Sequence, residues 1–307
     1  DYRARLATGL FNRHEYRYPA WDGQSLSGKR VLVYGEQGLG DQIMFASCLP
    51  DLLAEVAGCV LDCDPRLVGL FTRSFPDVTV IPTPRPQAVP KLERVVETID
   101  FQLPIGELGR RFRATPDAFP SRPCFLRADP DRAAHYRTRL DALGTGLKVG
   151  LSWRGGTGKT RGAARSVDLA ALVAALAGVS AHWISLQYGA SDRELAEARA
   201  HGFAVHHWQD TVADYDATAA LVETLDVVVS VCTSVVHLSS ALGRPTLVMV
   251  PAIADWRFGD QGERMPWHPT ARLLRQSRQG DWGSVLDLVR AALAGERSIG
   301  ATATPTA

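Results

Sequence analysis

Apolar residues along this chain gather in short, β-branched runs, and each run is followed by a stretch with helical spacing. "RVLVY" is such a run. Beyond its glycine-rich turn, Ile43, Leu49, Leu52, Leu53 and Val56 recur at intervals that predict one helix from Asp41 to Ala57. "CVLDC", "DVTVIP" and "IDFQLP" read as further strands, with the helix-like "PRLVGLFTRSF" after the first of them. "IPTPRPQAVP" reads as a loop, because repeated proline removes backbone donors. After the helix and glycine stop of "DPDRAAHYRTRLDALGTG", the alternation starts again. "LKVGLSW", "HWISLQ", "FAVHHW", "DVVVSV" and "PTLVMV" are the strands, separated by "VDLAALVAALAG", "SDRELAEARAHG", "DATAALVETL" and "SVVHLSSALG". Such alternation predicts an α/β protein with parallel sheets, in two successive units facing a crevice.

The boundaries follow from these patterns. Residues 1–28 form an aromatic, polar lead-in, 29–145 a first Rossmann-like domain, 146–280 a second, 281–296 a closing amphipathic helix, and 297–307 a disordered Thr/Ala tail. The opening "DYRARLATGLF" has helical spacing, as though it continued a longer element, and an upstream region is expected.

Bulk properties narrow the partners. Of the 307 residues 46% are apolar and 22% charged, and the net charge of +1 gives no field that would draw nucleic acid or an anionic membrane surface. No apolar run reaches the roughly 20 residues that span a bilayer, and no signal peptide is seen, so a cytoplasmic location is expected. The five cysteines are odd in number and scattered, and they read as reduced, mostly buried thiols rather than a disulfide or zinc framework. Asp62 and Asp64 form a D-x-D pair at a strand end, but the proline after it and its lone setting argue against metal. No metal or cofactor is expected.

Three segments can carry chemistry. In "VLVYGEQGLGDQIMFA" the glycines run G-x-x-G-x-G, not the G-x-G-x-x-G of a dinucleotide cradle, and no Walker lysine follows. What the loop offers is Asp41, in the first helical turn at the carboxyl end of a strand, as either a helix cap or a catalytic carboxylate. In "VVVSVCTSVVHLSSALGRP", Thr233 and Ser234 open a helix whose outward N–H groups suit a diphosphate, and His237 sits one turn in. A capped core helix with a satisfied histidine is the plain alternative. In "WRGGTGKTRGAARSVDL", Lys159, Arg161 and Arg165 lie on a glycine-rich loop able to close over an anion. The segment "DWRFGDQGERMPWHPTARLLRQ" is too rich in Trp and Arg for an ordinary exposed loop.

Taken in order, "PAWDG", "EQGLGDQIMFA", "VGLSWRGG", "RSVDL", "SLQYG", "SVCTSVVHLSSALGRP", "DWR" and "PWHPT" resemble the carboxyl-terminal domain of bacterial tetratricopeptide-repeat glycosyltransferases. That domain is similar to the heptosyltransferases of glycosyltransferase family 9. The resemblance runs from Tyr18 to Val289 and implies a GT-B fold, with the acceptor-side domain first and the nucleotide-sugar domain second. It implies metal-independent, inverting transfer from a nucleotide-sugar donor to a hydroxyl acceptor. By resemblance Asp41 is the base. Thr233, Ser234 and His237 hold the diphosphate, Arg165 and Lys159 neutralise it, and Gln187 and Glu194 lie near the nucleoside. Gly38, Gly40, Gln42, Trp153, Trp256 and Arg257 are expected to line the crevice.

Repeat-linked relatives are associated with flagellin modification, so a flagellin-like acceptor and an upstream tetratricopeptide-repeat region are implied by resemblance alone. Two departures stand out: Cys232 occupies a position where Asp is usual, and His268 one where Tyr is expected. The carboxylate lost at Cys232 raises a second expectation, a degenerate GT-B domain acting as a binding or scaffolding module; the change at His268 is milder. An epimerase on the same fold is a third.

Overall fold

The computed structural model describes residues 16, 18–82, 98–156 and 162–299, with side chains to 295. Two parallel sheets carry the alternation. The first unit runs β1 (Arg30–Tyr34), α1 (Leu39–Ala46), α2 (Leu49–Leu53), β2 (Gly58–Cys63), α3 (Val68–Ser74), β3 (Val78–Pro82), β4 (Phe101–Pro104), α4 (Gly106–Phe112) and α5 (Pro130–Asp141). The second runs β5 (Leu147–Ser152), α6 (Leu169–Leu176), β6 (Ala181–Ser185), α7 (Asp192–Ala200), β7 (Val205–His206), α8 (Gln209–Ala213), α9 (Tyr215–Glu223), β8 (Val227–Val231), α10 (Ser234–Ala241), β9 (Thr246–Val250), β10 (Ala271–Arg275) and α11 (Trp282–Ile299).

The single helix expected over Asp41–Ala57 is two helices. Pro50 accounts for the break: it has no N–H to donate and its ring crowds the carbonyl four residues back, so the chain turns at Ser47–Cys48 before α2 begins. The "ARLLR" stretch, not among the strands expected from the sequence, is edge strand β10, paired with β9 from Ala271↔Thr246 to Arg275↔Val250. "FAVHHW" yields only the two-residue β7, and the closing helix extends to Ile299. The proline-rich loop falls largely on residues 83–97, and the opening 1–15 and the tail 300–307 likewise lie outside the described residues.

Sheet order decides where chemistry can occur. The first sheet is ordered β3-β2-β1-β4 and the second β10-β9-β8-β5-β6-β7. In each, the chain winds outward from its first strand, then returns to that strand's other side. The switch points therefore lie beside β1 and between β5 and β8, and ligands of open α/β sheets sit beyond the carboxyl ends there. The lead-in reinforces the first sheet: Ala20 bridges to Gln102, whose side-chain amide donates to the carbonyls of Tyr16 and Tyr18.

The two units are packed together. Ile43, Phe45, Leu70 and Tyr136 of the first share one apolar cluster with Leu186, Leu221, Val228 and Leu238 of the second. Ion pairs fringe this seam: Arg73 with Asp216 at 2.5 Å and Arg139 with Asp210 at 3.1 Å. Arg139–Asp210 is exposed and pairs of that kind add about 0–1 kcal/mol, while Arg73–Asp216 is half-buried; the buried apolar surface is what chiefly holds the domains together.

Candidate active site

The turn after β1 is shaped by close contacts rather than by a bound phosphate. A methyl group built on Gly35 would strike the Gln42 side chain at 2.5 Å. One on Gly40 would lie 2.8 Å from His237 Cδ2 and 3.3 Å from Ser234 Cα. The absent side chains let α1 and α10, one from each domain, bring their amino ends together. Gln42, expected on the crevice wall, is fully buried instead. Its Oε1 accepts from the Asp64 N–H (2.9 Å) and its Nε2 donates to the Gln37 carbonyl (2.9 Å), which clamps the loop.

Asp41 is not the helix cap; Gly38, exposed, occupies that position. The carboxylate instead crosses to the second domain. Arg257 Nε donates to Asp41 Oδ1 at 2.5 Å and Arg257 Nη2 pairs with the same oxygen, with side chains only 12% and 14% exposed. Arg257 also reaches Asp255 Oδ1 at 2.7 Å and Gln37 Oε1 at 3.3 Å. Because the guanidinium is a rigid fork, it can hold several acceptors at once. Trp256 stacks on Phe45 and lies under Arg257, with its ring 45% exposed and off the cleft wall. Trp267 packs edge-on against Phe45 and Phe119, so the aromatic segment locks the two domains together.

Facing Asp41 is the amino end of α10. The Thr233 hydroxyl accepts from the Val235 N–H at 3.2 Å, which fixes the first turn. Gly155 lets the loop after β5 approach closely, since a methyl there would lie 3.0 Å from Thr233 Cγ2. Arg165 reaches across this gap and donates to the Cys232 carbonyl at 3.4 Å. Between these walls lies a cleft of about 770 Å³, lined by Gly40, Asp41, Arg154, Arg165, Thr233, Ser234, His237 and Arg257 among others. Lys159 and Arg161 lie outside the described residues.

The remaining expected residues serve the frame. Gln187 lines the cleft, but its amide is fully used: Oε1 accepts from the Trp153 and Arg154 N–H groups (2.9 and 2.8 Å), and Nε2 donates to the Arg154 and Tyr188 carbonyls (3.3 and 3.0 Å). Glu194 is off the cleft wall, its carboxylate taken by the Trp153 indole N–H (2.6 Å) and Arg154 (2.8 Å). Trp153, expected on the wall, is buried in the second core. Gln187 and Glu194 thus tie down the loop after β5 through Trp153 and Arg154.

The cleft also holds residues that the sequence reading passed over. Arg154 and Asp255 are two, and Tyr188, 82% exposed at the rim, is another. An aromatic set between a strand end and the turn formers "GAS" was the available signal for Tyr188.

Electrostatics within the site follow burial. His237 is held well below the ordinary imidazole range, first by burial and then by His268 and Arg257 nearby. Burial takes His268 down to about 3 and lifts the Cys232 thiol to about 12. Cys232 Sγ points to the Met249 carbonyl at 3.8 Å, inside a small apolar cluster. The D-x-D pair is structural: Asp62 accepts from Tyr16 Oη at 2.6 Å, and Asp64 caps the 3₁₀ turn Pro65–Leu67 and grips Arg66. Among the described residues, no group of three or more His, Cys, Asp or Glu is arranged to hold a metal, and no helix is long and apolar enough to cross a membrane.

Two domains of this topology with a cleft between their strand ends define the GT-B fold, and comparison with solved structures agrees. The chain superposes on the Veillonella parvula family 9 glycosyltransferase with a TM-score of 0.61 at 10% identity, covering 91% of this chain and 98% of that one. Against Escherichia coli ADP-heptose lipopolysaccharide heptosyltransferase II the TM-score is 0.55 at 13% identity, covering 87% and 99%. The iron-containing dodecameric glycosyltransferase TibC of enterotoxigenic E. coli gives 0.52 at 10%, covering 90% and 77%. No protein-family model matches the chain. In sequence it is similar to protein FlbA of Caulobacter vibrioides, 32% identical over an alignment 308 positions long that covers 95% of this chain and 51% of FlbA. The chain thus spans about half the length of that relative.

Proposed function

We propose that this chain is a nucleotide-sugar glycosyltransferase domain of the heptosyltransferase kind. The observation that carries the reading is the meeting, in one cleft, of a carboxylate from the first domain with a helix amino terminus and arginines from the second. The acceptor hydroxyl oxygen attacks the anomeric carbon, the bond from that carbon to the diphosphate breaks, and the hydroxyl proton passes to Asp41. Attack from the face opposite the diphosphate inverts the centre. The N–H groups at Thr233–Ser234, with His237 and Arg165, stabilise the charge that grows on the leaving diphosphate, a role fixed donors fill without reorganising. Arginine supplies the countercharge, so this reading needs no metal.

Similarity in fold to heptosyltransferase II and TibC makes ADP-sugars the first donors to try; TibC has been solved with ADP-D-β-D-heptose. Membership of family 9, a flagellin-like protein acceptor, an upstream tetratricopeptide-repeat region and a cytoplasmic setting belong to the same proposal and rest on resemblance.

A second reading, a binding module without turnover, is favoured by one observation: Arg257 engages the carboxylate that should act as base. Thermal-shift titration with ADP, GDP, UDP and their sugars, on wild type and Arg165→Ala, is the first test. A ligand at a hundred times its Kd stabilises by about 2.7 kcal/mol. A shift weakened in Arg165→Ala, together with sugar release lost in Asp41→Asn, supports the enzyme. Binding without turnover supports the binding module, and no binding across the panel refutes the enzyme and favours a scaffolding module.

A further inference from the structure

His268 lies in the turn before β10 and has no part in the transfer as described above. Its ring nevertheless reaches the site. His268 Nε2 is 3.0 Å from His237 Nδ1, and both residues are buried. Phe125 stacks on His268 at 6.3 Å and 12°, and the Phe258 ring lies 6.1 Å from His237, so neither imidazole can turn freely.

Burial keeps both rings neutral at pH 7, so each carries a single N–H. The contact between them holds one proton, which leaves two arrangements. If His237 donates from Nδ1, its Nε2 is a bare lone pair facing Gly40 and the cleft. If His268 donates from Nε2, the His237 proton sits on Nε2. An anionic oxygen in the cleft is attracted only by the second, because a lone pair repels it. Gly40, with no side chain, leaves that nitrogen open on the α1 side: a methyl group built there would touch it at 3.5 Å.

We propose that His268 is a positioning residue that sets the tautomer of His237: its Nε2–H donates to His237 Nδ1 and keeps the His237 proton on Nε2, ready for a diphosphate oxygen. The inference rests on the donor reading above. It explains why a second ring is buried behind the first, where an apolar side chain would fill the space at less cost in desolvation. The arrangement follows the general rule that the partner of one imidazole nitrogen decides what the other can do.

The test uses the full chain labelled with [15N]histidine. Long-range 1H–15N correlation reads each tautomer, with ADP, GDP and UDP as probes. The expected result is the Nε2–H form of His237 in a nucleotide complex. His268→Gln, whose amide can donate from the same place, should keep that form and the affinity, and His268→Leu, which leaves Nδ1 without a donor, should bind the nucleotide about 10-fold more weakly, the worth of roughly one hydrogen bond. An Nδ1–H form in the complex, or an unchanged Kd in His268→Leu, overturns the proposal and leaves the donor reading standing. Failure of all three nucleotides to bind wild type overturns the donor reading, and this proposal with it. The wild-type spectrum needs no substitution, so a variant that fails to fold does not remove the test.

Discussion

Replacing Gly40 with alanine sets two physical effects against each other, and the structure decides the sign. Gly40 is the second residue of α1, and on propensity alone Gly→Ala in a helix stabilises by up to about 1 kcal/mol. The new methyl, however, would stand 2.8 Å from His237 Cδ2 and 3.3 Å from the Ser234 backbone. The histidine cannot yield, because it is buried and tied to His268, and Ser234 is fixed by the Thr233 cap. Relief must come from pushing α1 off α10, and overpacking of this kind costs about 1–3 kcal/mol. The net expectation is a loss of about 1–2 kcal/mol, or a fall in Tm of a few degrees. Gly295→Ala is the control: it lies exposed on α11 with nothing within 4 Å of the added methyl, and should stabilise by about 0.5–1 kcal/mol. Calorimetry of the three proteins measures both. If Gly40→Ala is as stable as wild type, the close approach of the two helix ends is wrong, and the site built on it is wrong too.

Other substitutions probe the frame and the charges. Gln187→Ala strips the acceptor from two backbone N–H groups, and should cost about 2–6 kcal/mol in urea unfolding, at about 1–3 kcal/mol per unsatisfied buried group. A double-mutant cycle of Asp41→Asn and Arg257→Gln should give a coupling of about 1–3 kcal/mol, because the pair is mostly shielded from water; a coupling near zero refutes the interdomain bridge. For pH, His268 is depressed to about 3 when folded against about 6.5 when unfolded, so the unfolded state binds the extra proton. Stability is therefore full above about pH 6.5 and falls as pH drops towards 3, by about 2 kcal/mol between pH 6.5 and 5. His268→Gln should lose about that much less over the same interval, measured by urea unfolding at both pH values.

How much was legible in the sequence can be seen residue by residue. The β-branched runs and their helical partners are local patterns, and a strand buried on both faces, such as β8, cannot be written any other way. The same local signals marked Thr233 as a helix cap and the Gly38–Gly40 turn as a loop at a strand end. Pro50, equally local, was enough to break the helix that the apolar spacing predicted, but it was outweighed there by periodicity.

Tertiary structure alone decided which of these groups meet. Asp41 and Arg257 are 216 positions apart, and His237 and His268 are 31 apart; no spacing rule joins them. Resemblance placed Gln187 and Glu194 near the nucleoside and Trp153 on the crevice wall. The hydrogen bonds of Gln187 and Glu194 to the β5 loop, and the burial of Trp153 in the second core, appear only in the folded chain. Periodicity reports which face of an element avoids water. It carries no information on which two faces, drawn from distant parts of the chain, pack together, and a site made between two domains exists only once they do.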